Sequence, residues 1–274
     1  MSVGGPSYRA LAVRYAERET TLADAYYRWS SYGDPDGPLT MSYYFWVLQP
    51  RHEPQAPPIV IDCGFDPELG RRMGRRCLCE PAEALSRVGV DPAAVQRLVI
   101  SHMHYDHIGN VDLFTNARIS VARDELSFWT TDPIAQRPQF ASHTDPGGVR
   151  RLRQAADTGR VDEIGKQAEI APGLTAIQVG GHAPGQLVFK IAGEHGTLVL
   201  ANDAVHYEAE LRSDRPFGIF SDLGDMYRGY DTVRALMSSG AVLVPGHDPL
   251  VMEHFAPLNG AARGLAVCLT HEKE

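Results

Sequence analysis

Three histidines and an aspartate fall within six residues in Ser101-His102-Met103-His104-Tyr105-Asp106-His107, in the pattern His-x-His-x-Asp-His. Imidazole nitrogens and carboxylate oxygens are the donors that zinc and other first-row divalent metals take. The cluster follows Arg97-Leu98-Val99-Ile100, an apolar, β-branched run that reads as a short buried strand, and it precedes Ile108-Gly109-Asn110, which reads as a turn. Alternate side chains of an extended segment point the same way, so His102, His104 and Asp106 share one side. A turn after Asp106 brings His107 round from another direction. A lone histidine on a loop is ordinary surface, but four donors this close together at the end of a buried strand point to a metal site.

Three more candidates lie further along. His182 sits in Gly180-Gly181-His182-Ala183-Pro184-Gly185, Asp203 follows the apolar run Thr197–Ala201, and His247 follows Ala241-Val242-Leu243-Val244-Pro245-Gly246. Each lies in a Gly- or Pro-marked turn or at a strand end, where side chains are free to converge. The full set is His102, His104, Asp106, His107, His182, Asp203 and His247. Seven donors are too many for one tetrahedral zinc and suit two metals that share a bridging carboxylate and a bridging water.

These residues, in this order, resemble the metallo-β-lactamase superfamily, with Asp203 standing where true β-lactamases usually carry a cysteine. The phrases Ile61-Asp62-Cys63-Gly64-Phe65, Asp203-Ala204-Val205-His206-Tyr207 and Val244-Pro245-Gly246-His247-Asp248-Pro249 are similar to the N-acyl-homoserine lactonase-like branch. The resemblance runs from about Leu39 to about Val251. It implies an α/β fold, a four-layer αββα sandwich with the metals at one rim. It implies two divalent ions, zinc by default, one held by His102, His104 and His182, the other by Asp106, His107 and His247, with Asp203 bridging. The implied reaction is hydrolysis of a carboxylic ester: a metal-bridging hydroxide opens a lactone, either an acyl-homoserine lactone or another hydrophobic lactone.

In that branch a tyrosine three residues after the bridging aspartate donates to the substrate oxygens. Here that position is His206, and Tyr207 comes one later. Tyr207 is the favoured donor and His206 the other candidate donor and proton shuttle; with Asp106 they are the candidate catalytic residues. Competing readings are a thioester hydrolase of the glyoxalase II kind, a cyclic amide hydrolase, and a metal-binding or di-iron protein without hydrolase activity. The first carries basic residues in an added C-terminal segment, and the 27 residues that follow His247 in this 274-residue chain hold no basic cluster.

The elements that must position these donors alternate between strand and helix, the pattern of an α/β protein. At 274 residues and 43% hydrophobic, the chain is expected to form one hydrolase domain over 1–274. Residues 1–38 are expected to supply an N-terminal strand and an aromatic loop at the substrate mouth or at a homodimer contact. The loop carries Tyr26, Tyr27, Trp29 and Tyr32, which serve equally as core plugs or as pocket and interface residues. Expected elements include an edge strand at Tyr8–Val13 with irregular chain from Arg14 to Gly37, a buried strand at Tyr43–Val47, a helix at Glu80–Val88, a cover loop at Thr130–Gly148 containing an exposed His143, a long connection from Leu211 to Gly229, and a tail from Phe255 with one short apolar stretch. Asp62 is either a carboxylate that orients a ligand histidine or a turn-former.

A net charge of -8 argues against nucleic acid as the main partner. The expected partner is a small-molecule substrate with a hydrophobic part, its choice resting on Tyr26–Tyr32, Phe128/Trp129 and the Arg215–Tyr227 connection, with Arg215 or Arg228 able to bind a carboxylate. Cys63, Cys77, Cys79 and Cys268 read as reduced thiols. Residues Met1 to Arg18 lack an apolar segment of leader or membrane-span character, which leads to the expectation of a cytoplasmic enzyme with no membrane partner.

Overall fold

The computed structural model describes residues 7–272. The expectation of no leader segment therefore falls partly on residues 1–6, which lie outside the described residues. In chain order the strands are β1 (Tyr8–Thr21), β2 (Pro38–Pro50), β3 (Ile59–Ile61), β4 (Arg76–Cys77), β5 (Arg97–Ile100), β6 (Arg118–Ala122), β7 (Val161–Ile164), β8 (Gln167–Ala171), β9 (Leu174–Gln178), β10 (Leu187–Ala192), β11 (Thr197–Asn202), β12 (Val242–Pro245), β13 (Phe255–Pro257) and β14 (Ala266–Glu272).

They form two sheets. The larger runs β13-β14-β1-β2-β3-β5-β6-β7, with β4 added to β1, and the smaller runs β12-β11-β10-β9-β8. Period-two alternation of apolar side chains gives the central strands of the larger sheet two buried faces. Tyr44, Trp46 and Leu48 of β2 point toward the smaller sheet and meet Phe189, Leu198 and Leu200. Tyr43, Phe45 and Val47 point the other way and pack with Ala84 and Leu85 of the helix Pro81–Arg87 and Leu152 of the helix Pro146–Asp157. On the far side of the smaller sheet, Val188 and Val199 pack against Met226, Tyr230 and Val233 of the helix Leu223–Ser238. Helix, sheet, sheet and helix thus stack as the four-layer αββα sandwich.

Four expectations need correction. The first strand does not stop at Val13 and is not an edge: it runs to Thr21 between β14 and β2. A bulge between Arg14 and Ala16 breaks its alternation, and Glu17 pairs with Arg14 and Arg76. The stretch 130–148 is not an open loop. It holds the turns Pro133–Gln136 and Pro138–Ala141 and starts a helix at Pro146, each opened by a proline at the first helical position. Residues 211–229 are mostly helical, in Glu208–Ser213 and from Leu223 onward. The tail carries β14, whose partner β1 lies at the other end of the chain. No local pattern signals a pairing of that range.

Candidate metal centre

All seven predicted donors meet at one rim of the sandwich. β5 ends at Ile100 and delivers His102, His104, Asp106 and His107, the last two on the short helix Tyr105–Ile108. His182 lies in the turn between β9 and β10, Asp203 directly follows β11, and His247 follows β12. Two glycines, immediately before His182 and His247, permit this convergence. Gly181 holds φ +84°, and a Cβ there would lie 2.6 Å from Met226 N; a Cβ on Gly246 would lie 2.6 Å from the carbonyl carbon of Asn202.

The seven side chains are 0–7% exposed, so water screens them little. Their donor atoms fall into overlapping groups: His102, His104 and His182; His102, His107 and Asp203; Asp106, His107 and His247. Asp203 sits among them. Its Oδ2 lies 3.1 Å from His247 Nε2, 3.5 Å from His182 Nε2 and 3.8 Å from His102 Nε2, and its Oδ1 lies 3.4 Å from His107 Nε2. Asp106 lies 3.7 Å from both His107 Nε2 and His247 Nε2.

Partners behind the cluster orient the rings. His182 Nδ1 is 2.9 Å from Ile219 O, His247 Nδ1 is 2.7 Å from Ser42 O, and His107 Nδ1 is 2.8 Å from Asp62 Oδ2. Those oxygens only accept, so each Nδ1 donates and Nε2 is left with its lone pair toward the centre. Lone pairs of several imidazoles thus face a carboxylate and one another. Among the described residues, the buried His102 Nε2, His107 Nε2 and Asp203 Oδ1 have no hydrogen-bond partner. Cations between these atoms would satisfy them, and the N and O donor set suits zinc-like divalent ions. The residues therefore fit a pair of metal ions.

Asp62 orients rather than merely turns the chain. It is fully buried with φ 62°, and it accepts from Ser101 N, Ser101 Oγ and Asn202 Nδ2 at 2.7–2.8 Å. Glu125 carried no sequence signal, yet it ties the His102–His104 loop to the His182 loop. It accepts from Met103 N, between His102 and His104, from Gly185 N, in the His182 loop, and from Trp129 Nε1, all at 2.7 Å.

The structure separates the two candidates after Asp203. His206 is fully buried, its Nε2 is 3.3 Å from Asp203 Oδ2, its Nδ1 is 3.4 Å from Glu210 Oε1, and its ring stacks on Phe217 with centroids 3.7 Å apart. Burial pushes its pKa down, but the carboxylates of Asp203 and Glu210 outweigh that and raise it to about 9. Tyr207 turns away: its hydroxyl donates to Thr40 O at 3.4 Å, and its ring packs against Tyr26. His102, His104 and His182 are held well below the usual imidazole range by burial first and by neighbouring histidines second, Asp203 acting in the opposite direction.

A cavity of about 190 Å³ opens onto the cluster, lined by His104, Asp106, His182, Asp203 and His206 and walled by Arg18, Met41, Tyr43, Met73, Arg75, Tyr105, His143, Phe217 and Ile219. A larger depression of about 380 Å³, around Gly193, Val242 and Phe255, touches none of the seven donors. His143 is half-buried at the cavity, its ring 5.8 Å from that of His104, and not simply exposed. Phe128 and Trp129 pack beside one another outside the lining, Trp129 from behind His104 with ring centroids 5.9 Å apart. Arg215 is paired with Asp34 and lies over Trp29 and Tyr32, and Arg228 is paired with Asp225, so both are engaged within the chain. The aromatic loop packs on the segment that carries Phe217 and Phe220.

Residues 46–247 match the model of the metallo-beta-lactamase superfamily. The chain belongs to that superfamily. Among curated proteins, it is 32% identical over 165 residues to the N-acyl homoserine lactonase AttM of Azorhizobium caulinodans, 59% of this chain and 61% of that relative. It is 27% identical over 168 residues to metallo-beta-lactamase domain-containing protein 1 of Xenopus laevis, 61% of this chain and 60% of the relative. The match thus spans about three fifths of the length of these relatives. Among solved structures, a quorum-quenching N-acyl homoserine lactone lactonase superposes with a TM-score of 0.70 at 19% identity, over 90% of this chain and 95% of the other. The hydrolase AbOPH superposes with a TM-score of 0.70 at 17% identity over 100% of both chains. At these identities the superpositions carry the fold.

Proposed function

We propose that this protein is a dinuclear metal-dependent hydrolase that opens a lactone ring. The observation that carries the reading is the buried convergence of five imidazoles and two carboxylates on one cavity, with Asp203 at its centre. The lactonases among the relatives direct it toward lactones rather than other esters. His102, His104 and His182 would hold one ion, Asp106, His107 and His247 the other, and Asp203 both. Zinc is the default for this donor set. Such ions, when bound, lower the pKa of water toward neutrality and polarise a carbonyl.

The chain's own residues supply the rest. Phe217, Ile219, Met41 and Met73 give the cavity an apolar wall for the ring and its substituent. His206, wedged between Asp203 and Glu210, holds a proton at Nε2 beside the reacting atoms and can deliver it to the alkoxide released on ring opening. Tyr207 supports the wall through Tyr26. The chain is read as one hydrolase unit, in which Arg18 of β1 lines the cavity and the aromatic loop packs beside it on Phe217. The four unpaired thiols fit a cytoplasmic setting; among the described residues, no helix is long and apolar enough to cross a membrane.

The test is a proton-release assay on metal-loaded protein against neutral lactones, thioesters and cyclic amides. Lactone turnover that a chelator abolishes and added metal restores is expected. Thioester or amide turnover without lactone turnover would overturn the reading.

A further inference from the structure

Two guanidinium groups share the cavity with the ligand cluster, and nothing in the proposed hydrolysis uses them. Arg18 comes from β1, next to its register partner Met41 of β2, which also lines the cavity. Arg75 comes from the turn before β4. Each is half-buried. Among the described residues, the Arg18 side chain makes no ion pair or hydrogen bond. The acidic neighbours on its strand are engaged elsewhere, Glu17 with Arg14 and Arg76 and Glu19 with Thr40 Oγ1. Arg75 Nε donates to Tyr105 Oη at 2.9 Å and Nη1 to Met73 O at 3.0 Å, which leaves its Nη2 edge without a partner among the described residues. Tyr105 Oη in turn lies 3.2 Å from Tyr43 Oη, so two phenols brace the Arg75 fork.

Both guanidinium groups line the one cavity of about 190 Å³, beside Tyr43 and Tyr105. The carboxylates lining the cavity are Asp106 and Asp203, both taken by the ligand cluster. A half-buried guanidinium with unused N–H groups is poorly solvated and attracts an oxyanion strongly, and its planar fork matches a carboxylate. This chain carries a net charge of -8, so a locally positive cavity is set against its overall balance.

Resting on the lactonase reading, we infer that the natural substrate is a small lactone whose side arm ends in a carboxylate, and that Arg18 and Arg75 bind that carboxylate while the ring sits over the ligand cluster. Arg18 and Arg75 are then specificity determinants rather than catalytic residues. The cavity of about 190 Å³ suits a short arm; it lies below the roughly 300–1,000 Å³ of common ligand pockets.

The experiment compares two matched substrates, a γ-butyrolactone carrying a short amide-linked arm that ends in a carboxylate and the same compound ending in a carboxamide. Both are assayed with metal-loaded wild type, Arg18→Met, Arg18→Lys and Arg75→Met. Wild type is expected to favour the carboxylate compound about ten- to a hundredfold, chiefly through KM, as a charge-assisted hydrogen bond allows. Arg18→Met should bring that ratio close to one, and Arg18→Lys should recover part of it. A purely structural role for Arg18 would alter both substrates together and leave the ratio in place. A wild-type ratio of one or less, or a ratio that survives both methionine variants, overturns the inference while leaving the lactonase reading intact. If neither lactone is opened, the lactonase reading falls, and calorimetric affinities for the same pair decide the inference: tighter carboxylate binding lost in Arg18→Met supports it, and equal binding overturns it.

Discussion

Asp62 Oδ2 lies 2.8 Å from His107 Nδ1. The same oxygen accepts from Asn202 Nδ2 at 2.7 Å, and Asn202 ends β11 in the other sheet, directly before Asp203. One carboxylate therefore links the His107 loop of one sheet to the Asp203 loop of the other. Asp62 and Asn202 hold left-handed backbone, φ 62° and 45°, a strained state for residues other than glycine that persists where surrounding bonds over-determine it. Asp62→Ala should weaken metal binding about 10- to 100-fold, because His107 loses its orienting partner. Chelator competition measures this, and unchanged affinity would reduce Asp62 to a turn-former.

Glu125 makes a second prediction. Glu125→Ala leaves three buried N–H donors, on Met103, Gly185 and Trp129, without their acceptor. Each such loss costs about 1–3 kcal/mol, so destabilisation of about 3 kcal/mol or more is expected in urea unfolding. A loss under about 1 kcal/mol would show that the ligand loops do not depend on this carboxylate.

The contrast between Asp62 and Glu125 shows what the sequence could tell. The convergence of these seven side chains on one rim was legible, because type, spacing and turn residues are local. Asp62 was legible as an alternative, since it ends a buried strand. Glu125 was not, because a glutamate in the first turn of a helix looks solvent-facing until tertiary packing buries it. The strands of both sheets that lead into the cluster were readable from apolar runs, whereas β14 and the second half of β1 were not. Their pairing joins the two ends of the chain and is decided by contacts no window contains. Arg18 and Arg75 were hidden for the same reason, and Arg215 and Arg228, which stood out in sequence, proved to be engaged in ion pairs.

His206 and Tyr207 differ in what they face, so their variants should differ. His206→Ala is expected to lower kcat for lactone opening about 100-fold or more, the scale of losing a placed donor at developing charge. Tyr207→Phe should stay close to wild type, since its hydroxyl reaches Thr40 O and not the cavity. The reverse order of effects would return the donor role to Tyr207.

In the metal-free protein, the raised His206 pKa of about 9 ties stability to pH. The folded state holds this proton more tightly than the unfolded chain, whose imidazole titrates near 6.5. The contribution is therefore full below pH 6.5 and lost as pH rises through about 9. The stability gap between wild type and His206→Gln, measured without metal, should be wide at acidic pH and narrow on the alkaline side. A gap that widens with pH would reverse the assigned electrostatics.

Gly246→Ala places a methyl 2.6 Å from the Asn202 carbonyl carbon and 3.0 Å from Asp203 Oδ1, so His247 and Asp203 cannot both keep their positions. The variant is expected to fold with reduced thermal stability and to lose tight binding of one ion. Wild-type stoichiometry would mean that the loop adapts freely.

Titration of metal-free protein with Zn²⁺, followed calorimetrically, tests the central claim most directly. Two tightly bound ions per chain are predicted for wild type, falling to one or none in Asp203→Ala, because that carboxylate lies within reach of His102, His107, His182 and His247. Binding of no ion, or of a single ion that Asp203→Ala leaves undisturbed, would contradict it.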